Sequence, residues 1–140
     1  MSSREYVYSV LKGAWGIRIS LTAEVARADI PEHERVPVSS KIWICRQVAG
    51  RQFTDGEMAM LVRGLRFLAD EISQTVSQEP LMIVISELRY VESDFQEEGL
   101  AAAIFGWAIA EFGLSPREIG VSFDGARNQY VFEWPSADEE

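Results

Sequence analysis

Residues 81–114, LMIVISELRYVESDFQEEGLAAAIFGWAIAEFGL, decide the fold. Leu81 to Ile85 are all apolar, and Leu88, Tyr90 and Val91 extend the run, so the stretch reads as a strand covered on both faces in the middle of a sheet. Ser93-Asp94-Phe95-Gln96 has the Ser-x-x-Gln spacing of a capping box, which predicts a helix start there. Glu97 and Glu98 then fall in the first turn, where the positive end of the helix dipole favours carboxylates. Gly113, which can turn left-handed, Leu114 and Pro116 specify the stop.

Between those signals residues 99–110 (GLAAAIFGWAIA) contain no charged or amide side chain, whereas a surface helix would show a polar stripe. Gly99, Ala102 or Ala103, Gly106 and Ala110 form a narrow face suited to close approach against a sheet, flanked on one side by Leu100, Ile104 and Trp107. Phe105, Ile109 and Phe112 make a second large ridge, and a domain of this size has one broad face to bury. Either the second ridge packs under further layers of the same chain, or it meets a partner or a second copy.

Working outward, Glu5–Leu11 and Gly16–Arg27 alternate around a turn at residues 12–16 and predict a hairpin with one wet face. Residues 27–40, with two prolines and mixed charges, read as a long loop. Ile42–Cys45 reads as a short strand, followed by a turn around Gly50. Thr54-Asp55-Gly56-Glu57 is a second capping box, and Met58, Leu61, Leu65, Leu68, Ile72 and Val76 keep the steps of an amphipathic helix. Its wet side is Arg63, Arg66, Asp70, Glu71 and Gln74, and Gly64 marks a close crossing. Gln78-Glu79-Pro80 fixes the start of the central strand. Ile119–Phe123 and Tyr130–Trp134 alternate about Asp124-Gly125 as a closing hairpin, and residues 135–140 read as a frayed acidic tail.

The expectation is one α+β domain over residues 1–140: a mostly antiparallel sheet of about five to six strands with two helices on one face, in the order β-β-β-α-β-α-β-β. The order of three strands, helix, strand, helix resembles the ribosomal S5 second-domain type of fold seen in domain four of elongation factor G. The resemblance is one of element order and carries no site residue with it.

Lys and Arg number 13 against 22 Asp and Glu, a formal charge of −9, which disfavours nucleic acid and favours a basic partner or plain solubility. Arginine outnumbers lysine 11 to 2, a bacterial coding habit more than a function. One cysteine excludes an internal disulfide, and no run reaches the length of a membrane span or signal peptide, so a cytoplasmic address is expected.

No phosphate loop, nucleophile elbow or zinc motif is present, and no cofactor or metal is expected. His33, between Glu32 and Glu34, reads as a solvated loop residue, and Cys45 as a small hydrophobe; a nucleophile built from the pair would need a third group. Glu92, Asp94, Glu97 and Glu98 cluster where the central strand gives way to the apolar helix. They suit helix capping or a basic partner better than a divalent cation, since their spacing matches no calcium loop. Together with Phe105, Ile109 and Phe112, and with Trp43, Tyr90 and Trp107 as further anchors, they outline an interface with an apolar centre and a charged rim. The sequence therefore favours a non-enzymatic protein-binding module, of the kind that inhibits or confers immunity to a basic protein. A self-associating homodimer is the second reading, and an enzyme using Glu24, Asp29, Asp94 or Asp124 the third.

Overall fold

The computed structural model describes residues 3–26, 31–48, 50–76 and 81–134. Its frame is a five-stranded mixed sheet in the order β1-β2-β7-β4-β3. The strands are β1 (Arg4–Leu11), β2 (Gly16–Ala26), β3 (Arg35–Pro37), β4 (Ile42–Cys45) and β7 (Leu81–Tyr90). Two small hairpins stand apart from it: β5 (Gln47–Val48) with β6 (Arg51–Gln52), and β8 (Gly120–Asp124) with β9 (Gln129–Glu133). The helices are α1 (Asp55–Arg66), α2 (Ala69–Thr75) and α3 (Glu98–Phe112).

The all-apolar β7 lies between β2 and β4, antiparallel to the first and parallel to the second. Both its faces are shielded for most of its length, as a central strand requires. Its register with β2 shifts at a bulge: Thr22 faces Glu87 and Ala23 faces Ile85, so Ser86 is the extra residue. The shift keeps Ile83 and Ile85 on the same face as Ile17, Ile19, Leu21 and Ala23, and all six are at most 1 % exposed.

On that face α3 lies across β2 and β1, and the small residues are what let it approach. A methyl group on Gly99 would come within 2.9 Å of Ile19, and one on Gly106 within 2.2 Å of the Tyr6 ring. The crossing expected at Gly64 is also present: a Cβ there would stand 2.4 Å from the backbone oxygen of Ala101, so α1 and α3 touch backbone to backbone. At its end α3 turns left-handed at Gly113 (φ 64°), and the Leu114 N–H donates to the Ile109 carbonyl at 3.0 Å while the leucine side chain folds inward.

Several expectations are corrected. The Ser93–Gln96 box does not form. Glu92–Asp94 is a single 3-10 turn, Phe95 is extended and stacks on Tyr90 with ring centroids 3.9 Å apart, and α3 starts at Glu98 without a side-chain cap. The Gln96 amide is taken by a stronger offer from far along the chain: its Nε2 donates to the Tyr130 carbonyl at 2.7 Å, and its Oε1 accepts from the Tyr130 N–H at 2.8 Å. One side chain thus completes both backbone bonds of a strand residue. A Gln96→Ala variant leaves that buried peptide group unpaired and is expected to lose about 1–3 kcal/mol, read as a lower urea midpoint at unchanged slope.

The stretch read wholly as a loop contains β3, which pairs with β4 through Arg35↔Cys45, Val36↔Ile44 and Pro37↔Trp43. The helix expected to run on to Val76 breaks at Phe67-Leu68 into α1 and α2. Phe67 at the break stacks on Trp134 at 4.8 Å and packs edge-on against Phe105 at 6.4 Å, contacts that periodicity does not encode. By contrast the Thr54 box is complete: Thr54 Oγ1 accepts from the Glu57 N–H at 3.1 Å and Glu57 Oε1 accepts from the Thr54 N–H at 2.9 Å. The expectations for residues 27–30, for Gln78-Glu79-Pro80 and for the tail concern positions outside the described residues.

Candidate functional site

The apolar ridges of α3 meet different fates. Leu100, Ile104 and Trp107 are fully buried, and Phe105 is only 2 % exposed because Phe67 and Trp134 lie against it. Ile109 and Phe112 are half-buried, the latter edge-on to Trp107 at 5.9 Å. Phe105 and Trp107 therefore have no surface to offer a partner. The cover comes from β9 and the residue after it: Tyr130 and Phe132 enter the core, and the Tyr130 hydroxyl accepts from the Lys12 N–H and donates to the Trp15 carbonyl.

The acidic cluster divides in the same way. Glu98 Oε2 accepts from Trp134 Nε1 at 3.0 Å and from Arg63 at 3.3 Å, so it ties α3 to α1 and to the end of the hairpin. Glu97 is exposed, with its carboxylate against Gly56 at the start of α1, where two helix N-termini lie side by side. Glu92 is exposed next to Val91, itself 63 % exposed, and Asp94 lines a 330 Å³ cleft with Glu5, Arg18 and Arg89. Trp43 is half-buried beneath the Arg35 guanidinium at 5.9 Å.

Of the other candidates, Asp124 caps its own hairpin turn by accepting from the N–H groups of Ala126 and Arg127 at 3.0 and 3.2 Å. Glu24 is half-buried on the sheet face opposite Val84, and Asp29 lies outside the described residues. His33 faces solvent beside Glu34 at 3.6 Å, while Cys45 is 5 % exposed. Among the described residues no three His, Cys, Asp or Glu side chains converge as a metal site would. Glu57 is a buried carboxylate at 6 % exposure; burial opposes its ionisation, but hydrogen bonds from Thr54 and from Arg51 prevail and hold it below the usual range.

Two concave surfaces escape a reading of the sequence. Along the outer edge of β1 runs a hollow of about 820 Å³, bounded by Ile109 and Ala110 of α3 and by Ile119 and Val121. Tyr8 lies at its wall, its hydroxyl buried and without a hydrogen-bond partner among the described residues. Burial first, then Tyr6, Tyr130 and Glu98, push this phenol up to about 12. The folded state holds the proton more tightly than the unfolded one, so the contribution is complete below roughly pH 10 and is lost as pH rises further, through about 12. Melting temperature is expected to fall more steeply over that window in the wild type than in Tyr8→Phe.

The second surface is a groove of about 680 Å³ between α1 and β3. Val36, Met58, Ala59, Val62 and Phe67 make its apolar floor and walls, and Arg46, Arg63 and Arg66 stand around it with Asp55 at one end. It exists because β3, the edge strand, carries Val36 inward while α1 presents Ala59, a small residue, toward the opening. Arg63 is held by Glu98 and lies 5.5 Å over the Trp134 ring, and Arg66 Nε donates to the Val38 carbonyl at 3.2 Å. Arg63 and Arg66 are thereby positioned by the fold rather than trailing in solvent. No protein-family model and no curated protein matches the chain. No helix among the described residues is long and apolar enough to cross a membrane.

Proposed function

We propose that the chain is a non-enzymatic module that binds another protein, and that the groove between α1 and β3 is where the partner docks. The observation that carries this reading is an open apolar hollow of about 680 Å³, two of whose rim arginines, Arg63 and Arg66, are already held by Glu98 and the Val38 carbonyl. Preorganised rims of this kind lower the ordering cost of association. The lone, buried Cys45 supports a reducing, cytoplasmic address for it. The parallel β4–β7 pair joined through α1 and α2, beside antiparallel β2 and β1, supports kinship of architecture with the ribosomal S5 second-domain type.

A second docking face is favoured by the exposure of Val91 beside Glu92, Asp94 and Glu97: an apolar contact within an acidic edge suits a basic partner. An inhibitor or immunity role would use that edge, and a homodimer would use either face. Three immobilised baits separate these: wild type, Ala59→Glu, and Glu92→Lys with Glu97→Lys, each checked for an unchanged circular dichroism melt. Ala59 is exposed on a helix, so the glutamate blocks the groove without touching the core. The groove reading expects a partner, quantified by mass spectrometry after crosslinking, to fall about tenfold or more on Ala59→Glu alone. Loss on the double lysine variant alone moves the site to the acidic edge, and recovery of the same chain as its own partner favours the homodimer.

A further inference from the structure

The groove also states what its guest is made of. The chain has a formal charge of −9, yet three arginines stand around this hollow, faced by Asp55 and by the Glu98 carboxylate on Arg63. The Arg46–Asp55 approach is 3.9 Å with the Asp55 side chain fully exposed, a pairing too loose to neutralise the cation. Arg46 therefore marks the end where α1 begins, and Arg66 is the last residue of α1. At 1.5 Å per residue the cations are spread over roughly 16 Å. A single small-molecule carboxylate spans a fraction of that length, whereas two to three turns of a peptide helix cover it. Strand addition is the poorer alternative, because β3 is three residues long and Pro37 has no N–H to offer.

We infer that the groove takes an acidic amphipathic helix of a partner protein, its large apolar side chains on the Met58–Ala59–Val62 floor and its carboxylates on Arg46 and Arg66. The inference rests on the protein-binding reading and adds the chemistry of the partner. Residues 135–140, PSADEE, would match the charge but bring no large side chain for the floor.

The test is a display library of random peptides, about sixteen residues long to allow four turns, panned against the whole chain. Recovered peptides are expected to carry large apolar residues at steps of three and four with Asp or Glu between them. Their affinity should fall at least tenfold on Arg46→Ala with Arg66→Ala, fall with added sodium chloride, and vanish on Ala59→Glu. Peptides that need an open groove, as judged by Ala59→Glu, but show no acidic bias and ignore the arginine variants overturn this inference while leaving protein docking intact. Peptides indifferent to Ala59→Glu, or no enrichment at all, overturn both. Two further arms name other occupants: a chain ending at Trp134 that binds the peptides tenfold tighter would make the chain's own tail the resident, and dodecanoate bound to wild type but not to Ala59→Glu would make the groove a small-molecule pocket. Either result overturns the partner assignment.

Discussion

A Gly64→Val variant is expected to lose roughly 4 kcal/mol of stability, a large part of what a domain of this size holds. The first added atom would stand 2.4 Å from the Ala101 carbonyl oxygen and 2.8 Å from Ile104 Cγ2. The side chain could rotate away, but the backbone carbonyl inside α3 has nowhere to go, so α1 and α3 must separate. Gly64→Ala makes the sharper comparison. Helix propensity favours alanine over glycine by about 1 kcal/mol, while overpacking costs about 3 kcal/mol. A net loss near 2 kcal/mol, or roughly 6 °C in melting temperature, follows. A thermal melt in which Gly64→Ala is more stable than wild type would contradict the backbone contact between the helices.

Trp107→Ala is expected to cost about 4 kcal/mol through transfer and cavity terms together. Trp107 is fully buried in α3, and its Nε1–H donates to the carbonyl of Arg4, the first residue of β1, at 3.2 Å. Trp107→Phe keeps most of the volume and loses the donor, so it should cost about 2 kcal/mol, placing it between the two in chemical denaturation. Equal midpoints for Phe and wild type would mean that the indole bond contributes nothing.

The parts of this fold that announce themselves do so locally. Alternation in residues 5–11 and 17–25, the continuous apolar run at 81–85, the Thr54–Glu57 box and the Gly113 stop each depend on neighbours a few positions away, and each has its expected conformation. Ser93–Gln96 has the same local form as the Thr54 box but a different outcome, because Tyr130, thirty-four positions on, claims the glutamine amide. β3 carries a proline and three residues, too few to establish a period. The cover of the second ridge of α3 is not legible in the sequence, because the closing hairpin stands apart from the sheet and brings Trp134 over Phe105. The groove draws on residues 36, 46 and 58–67, and none is unusual where it stands. The signal available is modest: the wet face of α1 that bears Arg63 and Arg66 also carries Ala59, too small to shield what lies beneath it.

The position of Trp134 and Tyr130 has a consequence for biogenesis. Translation proceeds from the N-terminus, so α3 leaves the ribosome before the hairpin that shields Phe105 and supplies the hydrogen bonds to Gln96. On emerging, α3 can pack at once on β1, β2 and α1, whereas Phe105 waits for Trp134 and Gln96 for Tyr130. A chain stopped before residue 115 is therefore expected to expose Phe105 and to partition into inclusion bodies on expression more than the full chain does.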